Sequence, residues 1–329
     1  MSRTLTPMGN LTVAVIGAVD YARNLGKKST ASDITFFDQK KGDLTITFVE
    51  PTRYPEKLAP LFYAASMADI ALVIVDQINP VLGECILMLD SVGVKMGYIV
   101  LRNFLTPEQI APFIKETVLD SYVFLIDDPV RIRETLMAEA EKLSVDGPHV
   151  KDASAGSIPI DHFFDVKGIG TVVLGRVAEG FVRRHDKVKV LPGTTDTELR
   201  SIQKHDDDFD WAVTGDRVGI ALKGVDVDGL ERGMVLTNNP SLRCTAKLTA
   251  RANLVKYWLN PIKPGMVIHL GHWMQFVPAR VEEVMNGQDW RKPYLTLSLQ
   301  KELVFPPGSR IVITHLEGGK LRVLGMFEL

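Results

Sequence analysis

The chain has 329 residues, 38 of them lysine or arginine against 40 aspartate or glutamate, for a formal net charge of −2. That length allows two or three domains, each with its own core, and the balanced charge excludes a polycation, so any nucleic-acid contact must come from a local basic face. Cys85 and Cys244 lie in separate apolar segments, no apolar run approaches the ~20 residues needed to cross a bilayer, and the start at Met1–Pro7 lacks a signal architecture. These features predict a soluble cytoplasmic protein without a disulfide, a thiolate metal site or a membrane partner.

Residues 11–16, 45–49, 70–75, 97–101 and 122–126 are mainly apolar runs, as in parallel strands covered on both faces. Between them, residues 55–67, 83–92, 107–119 and 130–143 read as helices, and Thr106 offers an N-cap with Pro107 at the first helical position. The alternation predicts a doubly wound α/β domain whose ligands sit beyond the carboxyl ends of the strands. Composition breaks at 145–157, rich in small and turn-forming residues, which marks a linker. From about Ile158 to Asn238, short alternating strands are cut by Gly168, Gly170, Gly175 and Gly180, the pattern of a small barrel. Asn239-Pro240 marks a second boundary, and residues 244–250, 266–270, 275–284, 294–299, 310–316 and 321–327 are again β-rich. The expected architecture is an α/β domain with a mostly parallel sheet over 1–152, then β-barrels over 153–239 and 240–329.

Five ordered pieces of the middle region carry a resemblance. They are Lys167-Gly-Ile-Gly-Thr-Val-Val-Leu-Gly-Arg-Val-Ala-Glu-Gly-Phe-Val, Asp186-Lys-Val-Lys-Val, Arg200-Ser-Ile-Gln-Lys-His205, Thr214-Gly-Asp-Arg-Val-Gly-Ile-Ala-Leu-Lys-Gly-Val225 and Leu230-Glu-Arg-Gly-Met-Val-Leu236. In this order they resemble domain 2 of the translational GTPases related to EF-Tu, most of all the archaeal SelB-like branch. Beyond 240 the likeness is one of pattern, clearest at Arg280-Val-Glu-Glu-Val. The resemblance implies a G-like domain of the P-loop NTPase type followed by two barrels, ending at Leu329 without the further C-terminal domain of SelB proteins. It also implies GTP and Mg²⁺ as family cofactors.

The nucleotide motifs of that family are degraded here. A P-loop, Gly-x-x-x-x-Gly-Lys-Ser/Thr, cradles phosphates on backbone N–H groups, neutralises charge with Lys and holds Mg²⁺ with its hydroxyl. Gly17 is in place, but Ala22 and Arg23 stand where Gly and Lys belong, and Gly26-Lys27 comes too late. A shifted loop would rest on Gly17, Gly26, Lys27, Lys28, Ser29 and Thr30; the alternative is a remnant helix ending at Gly26 with solvated lysines. After Val49 the family's Asp-x-Pro-Gly-His is replaced by Glu50-Pro-Thr-Arg-Tyr-Pro, with Glu50 at best in place of Asp. The guanine-reading Asn-Lys-x-Asp becomes Arg102-Asn103-Phe104-Leu105, Ser-Ala becomes Asp127-Asp128, and Thr35 and Thr45 remain as nominal metal-binding threonines. Phosphoryl transfer depends on positioning and charge stabilisation, so a domain that does not hydrolyse GTP is expected, with no catalytic residue, no metal ligand and no fixed cofactor assigned.

His269 and His272, three apart on a strand and turn, do not converge, and a structural role is expected for them. The acidic run at 206–210 reads as a solvated loop. Basic residues concentrate in the barrels, from Arg183 to Arg232 and again at Arg243, Lys247, Arg251 and Lys256, and alternating strand positions project to one face. Arg200, Arg217 and Arg232 are the nucleic-acid-binding candidates. Arg232 in Leu-Glu-Arg-Gly233 matches the arginine that in EF-Tu-type factors belongs to the pocket for the aminoacylated 3′ end of tRNA, while Gly229 replaces that pocket's usual carboxylate. The expected partners are tRNA, the ribosome or another translation factor, and not DNA. The alternatives are an active GTP-binding elongation factor with an unconventional phosphate loop, and a protein-interaction scaffold outside translation.

Overall fold

The computed structural model describes residues 9–146, 155–319 and 321–329; most of the 145–157 linker and the Met1–Pro7 start lie outside them. The first unit is a seven-stranded sheet in the order β2-β3-β4-β1-β5-β6-β7. Its strands are β1 (Asn10–Ile16), β2 (Lys27–Ala31), β3 (Thr35–Lys41), β4 (Leu44–Glu50), β5 (Ile70–Val75), β6 (Met96–Leu101) and β7 (Val123–Leu125), and its helices α1 (Ala59–Met67), α2 (Pro80–Val92), α3 (Pro107–Ile114) and α4 (Pro129–Asp146). Strands β4, β1, β5, β6 and β7 are parallel neighbours, while β3 and β2 add an antiparallel edge. Because successive strand side chains point to opposite faces, Val13, Val15, Ile46 and Phe48 pack with Ile132, Leu136 and Ala140 of α4. Ala14, Ile16 and Val49 pack on the other face with Leu61 and Ala65 of α1 and Cys85 and Leu89 of α2.

The helices differ from the expectation at their ends for local reasons. α1 starts at Ala59 rather than residue 55, because 51–58 form turns. α2 starts at Pro80, three residues early, since the Asn79 side chain accepts from the Leu82 amide (3.0 Å) and caps it. α3 ends at Ile114, and residues 118–121 form a separate 3₁₀ turn. β2 and β3 were not foreseen: their polar, exposed ends give no apolar run.

The second unit comprises β8 (Ser157–Val166), β9 (Gly170–Arg176), β10 (Phe181–Arg183), β11 (Lys187–Leu191), β12 (Thr195–Lys204), β13 (Asp207–Phe209), β14 (Trp211–Val213), β15 (Arg217–Leu222) and β16 (Val235–Thr237). The order β11-β16-β8-β9-β15-β12, closed by the β11–β12 pairing, makes a six-strand ring. Lys204 is fully buried in an ion pair with Asp216, its ammonium 4.7 Å from the Phe209 ring centroid and 4.4 Å from that of Trp211. Asp216 also accepts from the Val213 amide (3.0 Å) and from Asn10 Nδ2 at the start of β1, joining the barrel to the first unit. The third unit is a closed barrel, β17-β20-β19-β18-β21-β22, built from β17 (Arg243–Leu254), β18 (Val267–His272), β19 (Gln275–Met285), β20 (Tyr294–Phe305), β21 (Arg310–Thr314) and β22 (Val323–Glu328).

The third barrel completes the core of the first unit: Met274, Val312 and Val323 join the cluster around α1 and α2. Phe62 lies so close to Gly271 that a Cβ there would meet its ring at 2.6 Å. Glu84 on α2 accepts from Arg322 Nη2 (2.5 Å), Nε (3.0 Å) and backbone N (3.2 Å) in a largely buried pair. Removing one partner of such a pair leaves an uncompensated buried charge. Arg322→Leu is therefore expected to lower unfolding stability by about 3–5 kcal/mol in urea titrations, with Glu84→Leu added to it recovering most of the loss.

Candidate functional site

The parallel strands β1 and β4 end side by side at the point where the chain order reverses, the place where an open α/β sheet holds its ligand. Gly17 leaves β1 at φ 103°, and a Cβ there would lie 2.2 Å from the Ile74 carbonyl, so only glycine lets the loop pass the β5 backbone. The loop then turns through Asp20 (φ 61°) into a short 3₁₀ turn, Tyr21–Asn24, closed by Gly26 N–H donating to the Ala22 carbonyl (3.1 Å). Gly26 thus ends a remnant helical turn. Lys27, Lys28, Ser29 and Thr30 continue as edge strand β2, with Lys27 opposite Asp38 and Lys28 opposite Phe37. Both lysines are exposed.

Two of the loop's amides are already occupied. The Glu50 carboxylate, buried at the end of β4, accepts from the amide of Ala22 (3.0 Å) and from that of Asp20. Burial pushes the Glu50 carboxyl above its ordinary range, against the pull of the Ala22 and Asp20 amides. Tyr21 donates to Asp127 Oδ1 (2.6 Å), and Arg102 bridges Asp76 (3.1 Å) and Asp127 (3.2 Å), so the loops after β5, β6 and β7 are tied together by ion pairs. Phe104 stands fully exposed beside them, with Asn103 and Phe104 both at positive φ. Thr35 is buried and hydrogen-bonded to Thr52 (2.5 Å), and Thr45 is buried in β4. This donor set does not fit GTP with Mg²⁺: the amides face a carboxylate, no lysine stands in the loop, and both threonines are packed away.

A second cluster lies where the first unit meets the second. Arg232 Nη1 donates to both oxygens of Asp33 (2.7 and 2.9 Å), its Nε to the Asp161 carbonyl (3.0 Å), and its guanidinium stands 5.2 Å from the Tyr63 ring centroid. Arg217 grips the fully buried Asp161 with two bonds (2.5 and 3.0 Å) and lies 3.8 Å over Phe36. His162 Nδ1 is 2.6 Å from Asp161 Oδ1 and its Nε2 2.9 Å from Ser32 Oγ. Two of the three sequence candidates, Arg217 and Arg232, therefore come together but serve a domain contact. Arg200 stays apart and exposed, donating to the Ile169 carbonyl (3.0 Å). Sequence reasoning missed Asp33 and Asp161; the one signal was an aspartate inside the apolar stretch Ile158–Phe164. His269 stacks on Phe276 (5.2 Å between centroids), and burial pushes the His272 imidazole down to about 4.

An α/β unit of this order followed by two six-strand barrels defines the architecture of translational GTPases, and the comparisons agree. Residues 170–237 match the model of elongation factor Tu domain 2. An uncharacterised protein of Methanocaldococcus jannaschii is 37% identical over 324 residues, covering 98% of this chain and all of that one. The selenocysteine-specific elongation factor of the same organism is 26% identical over 353 residues, 96% of this chain and 74% of that protein. The crystal structure of elongation factor SelB from Methanococcus maripaludis with the GTP analogue GppNHp superposes at a TM-score of 0.77 with 25% identity, over 97% of this chain and 79% of that one. The chain belongs to the SelB/EF-Tu-like family of translational GTPases.

The buried Asp161 sets an acid limit. Burial opposes its ionisation, but the Arg217 charge and the bonds from His162 and Arg217 outweigh it and hold the carboxyl at about 2. An unfolded aspartate titrates near 3.9, so this stabilisation is fully present above about pH 4 and is lost as pH falls through about 2, roughly 2–3 kcal/mol in all. Urea midpoints measured from pH 5 to pH 2 should fall steeply in the wild type and less steeply in Asp161→Asn, which is weaker from the start.

Proposed function

We propose that this protein is a translation elongation factor-like protein that binds tRNA, the ribosome or another translation factor through its barrels and does not hydrolyse GTP. The observation that carries the reading is the loop after β1, where Glu50 faces the Asp20 and Ala22 amides and no lysine is present. Phosphoryl transfer without a phosphate-gripping loop lacks the positioning on which its rate depends. Among the described residues, the surface best suited to a polyanion is the outer face of the third barrel rather than the Arg217–Arg232 cluster. There Lys247 on β17 and Arg280 on β19 flank the same residue of β20, exposed Ser298, and Arg251 stands opposite exposed Tyr294, four residue pairs further along the ladder. With strands about 4.8 Å apart, the two cations of the first row are roughly 10 Å from each other, a spacing that lets them meet separate phosphates. Glu283 on the rung between moderates the charge.

A second reading, a docking role outside translation for the α/β unit, is favoured by the exposed Val19, Phe104, Ile126 and Val130 around the strand ends. Total tRNA titrated at 50 to 200 mM salt tests both. Lys247→Ala with Arg280→Ala should weaken binding and flatten the log–log salt dependence by about 1.5. No association of the wild type at the lowest salt would sink the RNA-binding reading in favour of the docking one.

A further inference from the structure

Glu50 stands at the head of the segment 50–58, which meets the third unit directly and reaches the second through Asp33. Its carboxylate holds the amides of Asp20 and Ala22. Two residues on, Thr52 bonds Thr35 (2.5 Å), and the Arg53 amide donates to the carbonyl of Asp33 (3.1 Å), the residue whose carboxylate receives Arg232 of the second unit. Next, buried Tyr54 donates to the Val81 carbonyl (3.1 Å), and the Arg322 guanidinium of the third unit, paired with Glu84, lies 5.9 Å from its ring centroid. A run of converging backbone N–H groups is an anion-binding concavity, and here the anion comes from the chain itself.

We propose that Glu50 is a built-in anionic ligand of the loop after β1, taking amide donors that an outside phosphate would need and thereby holding segment 50–58 in place, against the third barrel and against the Asp33 turn that meets the second, without any nucleotide. In a loop that binds phosphate from solution, this segment is free to respond when the ligand leaves. With a tethered carboxylate the ligand cannot leave, because β4 carries it at a fixed distance from β1 through their parallel pairing, Ala14 opposite Val49. Glutamate rather than aspartate fits this role, since the extra methylene lets the carboxylate reach past its own strand end to two amides of the neighbouring loop. The coupling between loop and barrels is then permanent.

This inference deepens the reading of a factor that does not hydrolyse GTP. Its test reads the ligand-free protein, so either can fail while the other stands. Amide hydrogen exchange of the full chain is compared among wild type, Glu50→Gln and Glu50→Ala, the first substitution keeping shape and removing only charge. A charge-assisted hydrogen bond at each amide predicts exchange at Asp20 and Ala22 about tenfold faster or more in the variants, with the β1–β4 ladder amides unchanged. Unchanged exchange at both positions in both variants would overturn the proposal. So would inorganic pyrophosphate that adds protection to the same two amides in the wild type, because the donors would then be open to solvent. Absence of GTP hydrolysis in the wild type leaves these outcomes independent.

Discussion

Helix α1 has apolar residues on nearly every side: Pro60, Leu61, Phe62, Ala64, Ala65 and Met67 are all buried. A helix of that kind must be covered all round, and the sheet can cover only one side of it. The third barrel covers the other, bringing Met274, Val312 and Val323 into the same core and placing Gly271 against Phe62. The position of the third unit is thus set by hydrophobic burial, and the polar contacts across the joint work within it. Glu84 and Arg322 share this interface, where their three hydrogen bonds offset the cost of taking both charges out of water.

The joint between the first and second units is built differently, from charge and aromatic faces. Asp161, Arg217, His162, Ser32, Asp33 and Arg232 form one connected network with Phe36 and Tyr63 as its apolar walls. Arginine suits such a place because its planar fork can bind a carboxylate with two nitrogens while its face lies on a ring. A guanidinium held this way is no longer available to a phosphate. The same residue type therefore has opposite meanings in the two barrels: paired and walled in at the joint, open to solvent at Arg251 and Arg280.

The parallel core of the first unit was legible because its strands are buried on both faces and read as apolar runs, as at Ile70–Val75. The family was legible from glycines and turns of the second unit, whose spacing a small barrel fixes. β2 and β3 escaped because a strand at a sheet edge with one wet face gives weak alternation, and Lys27-Lys28-Ser-Thr offered a competing motif. Asp33 and Asp161 escaped for another reason. Their partners, Arg232 and Arg217, are 199 and 56 residues away in sequence, and no local pattern reports such a pairing. Glu50 was visible as a replacement for Asp, yet its contact with the Asp20 and Ala22 amides depends on the register of β1 against β4, which periodicity does not specify.

Strand β2 closes one side of the seven-stranded sheet and, among the described residues, has no neighbour beyond it. Such a rim exposes a row of unpaired N–H and C=O groups that invites another strand to add on. Lys27 and Lys28, side by side on that rim, carry hydrated charge which an incoming strand would have to desolvate. The lysines that a nucleotide motif would have claimed thus make that rim costly for another strand to join.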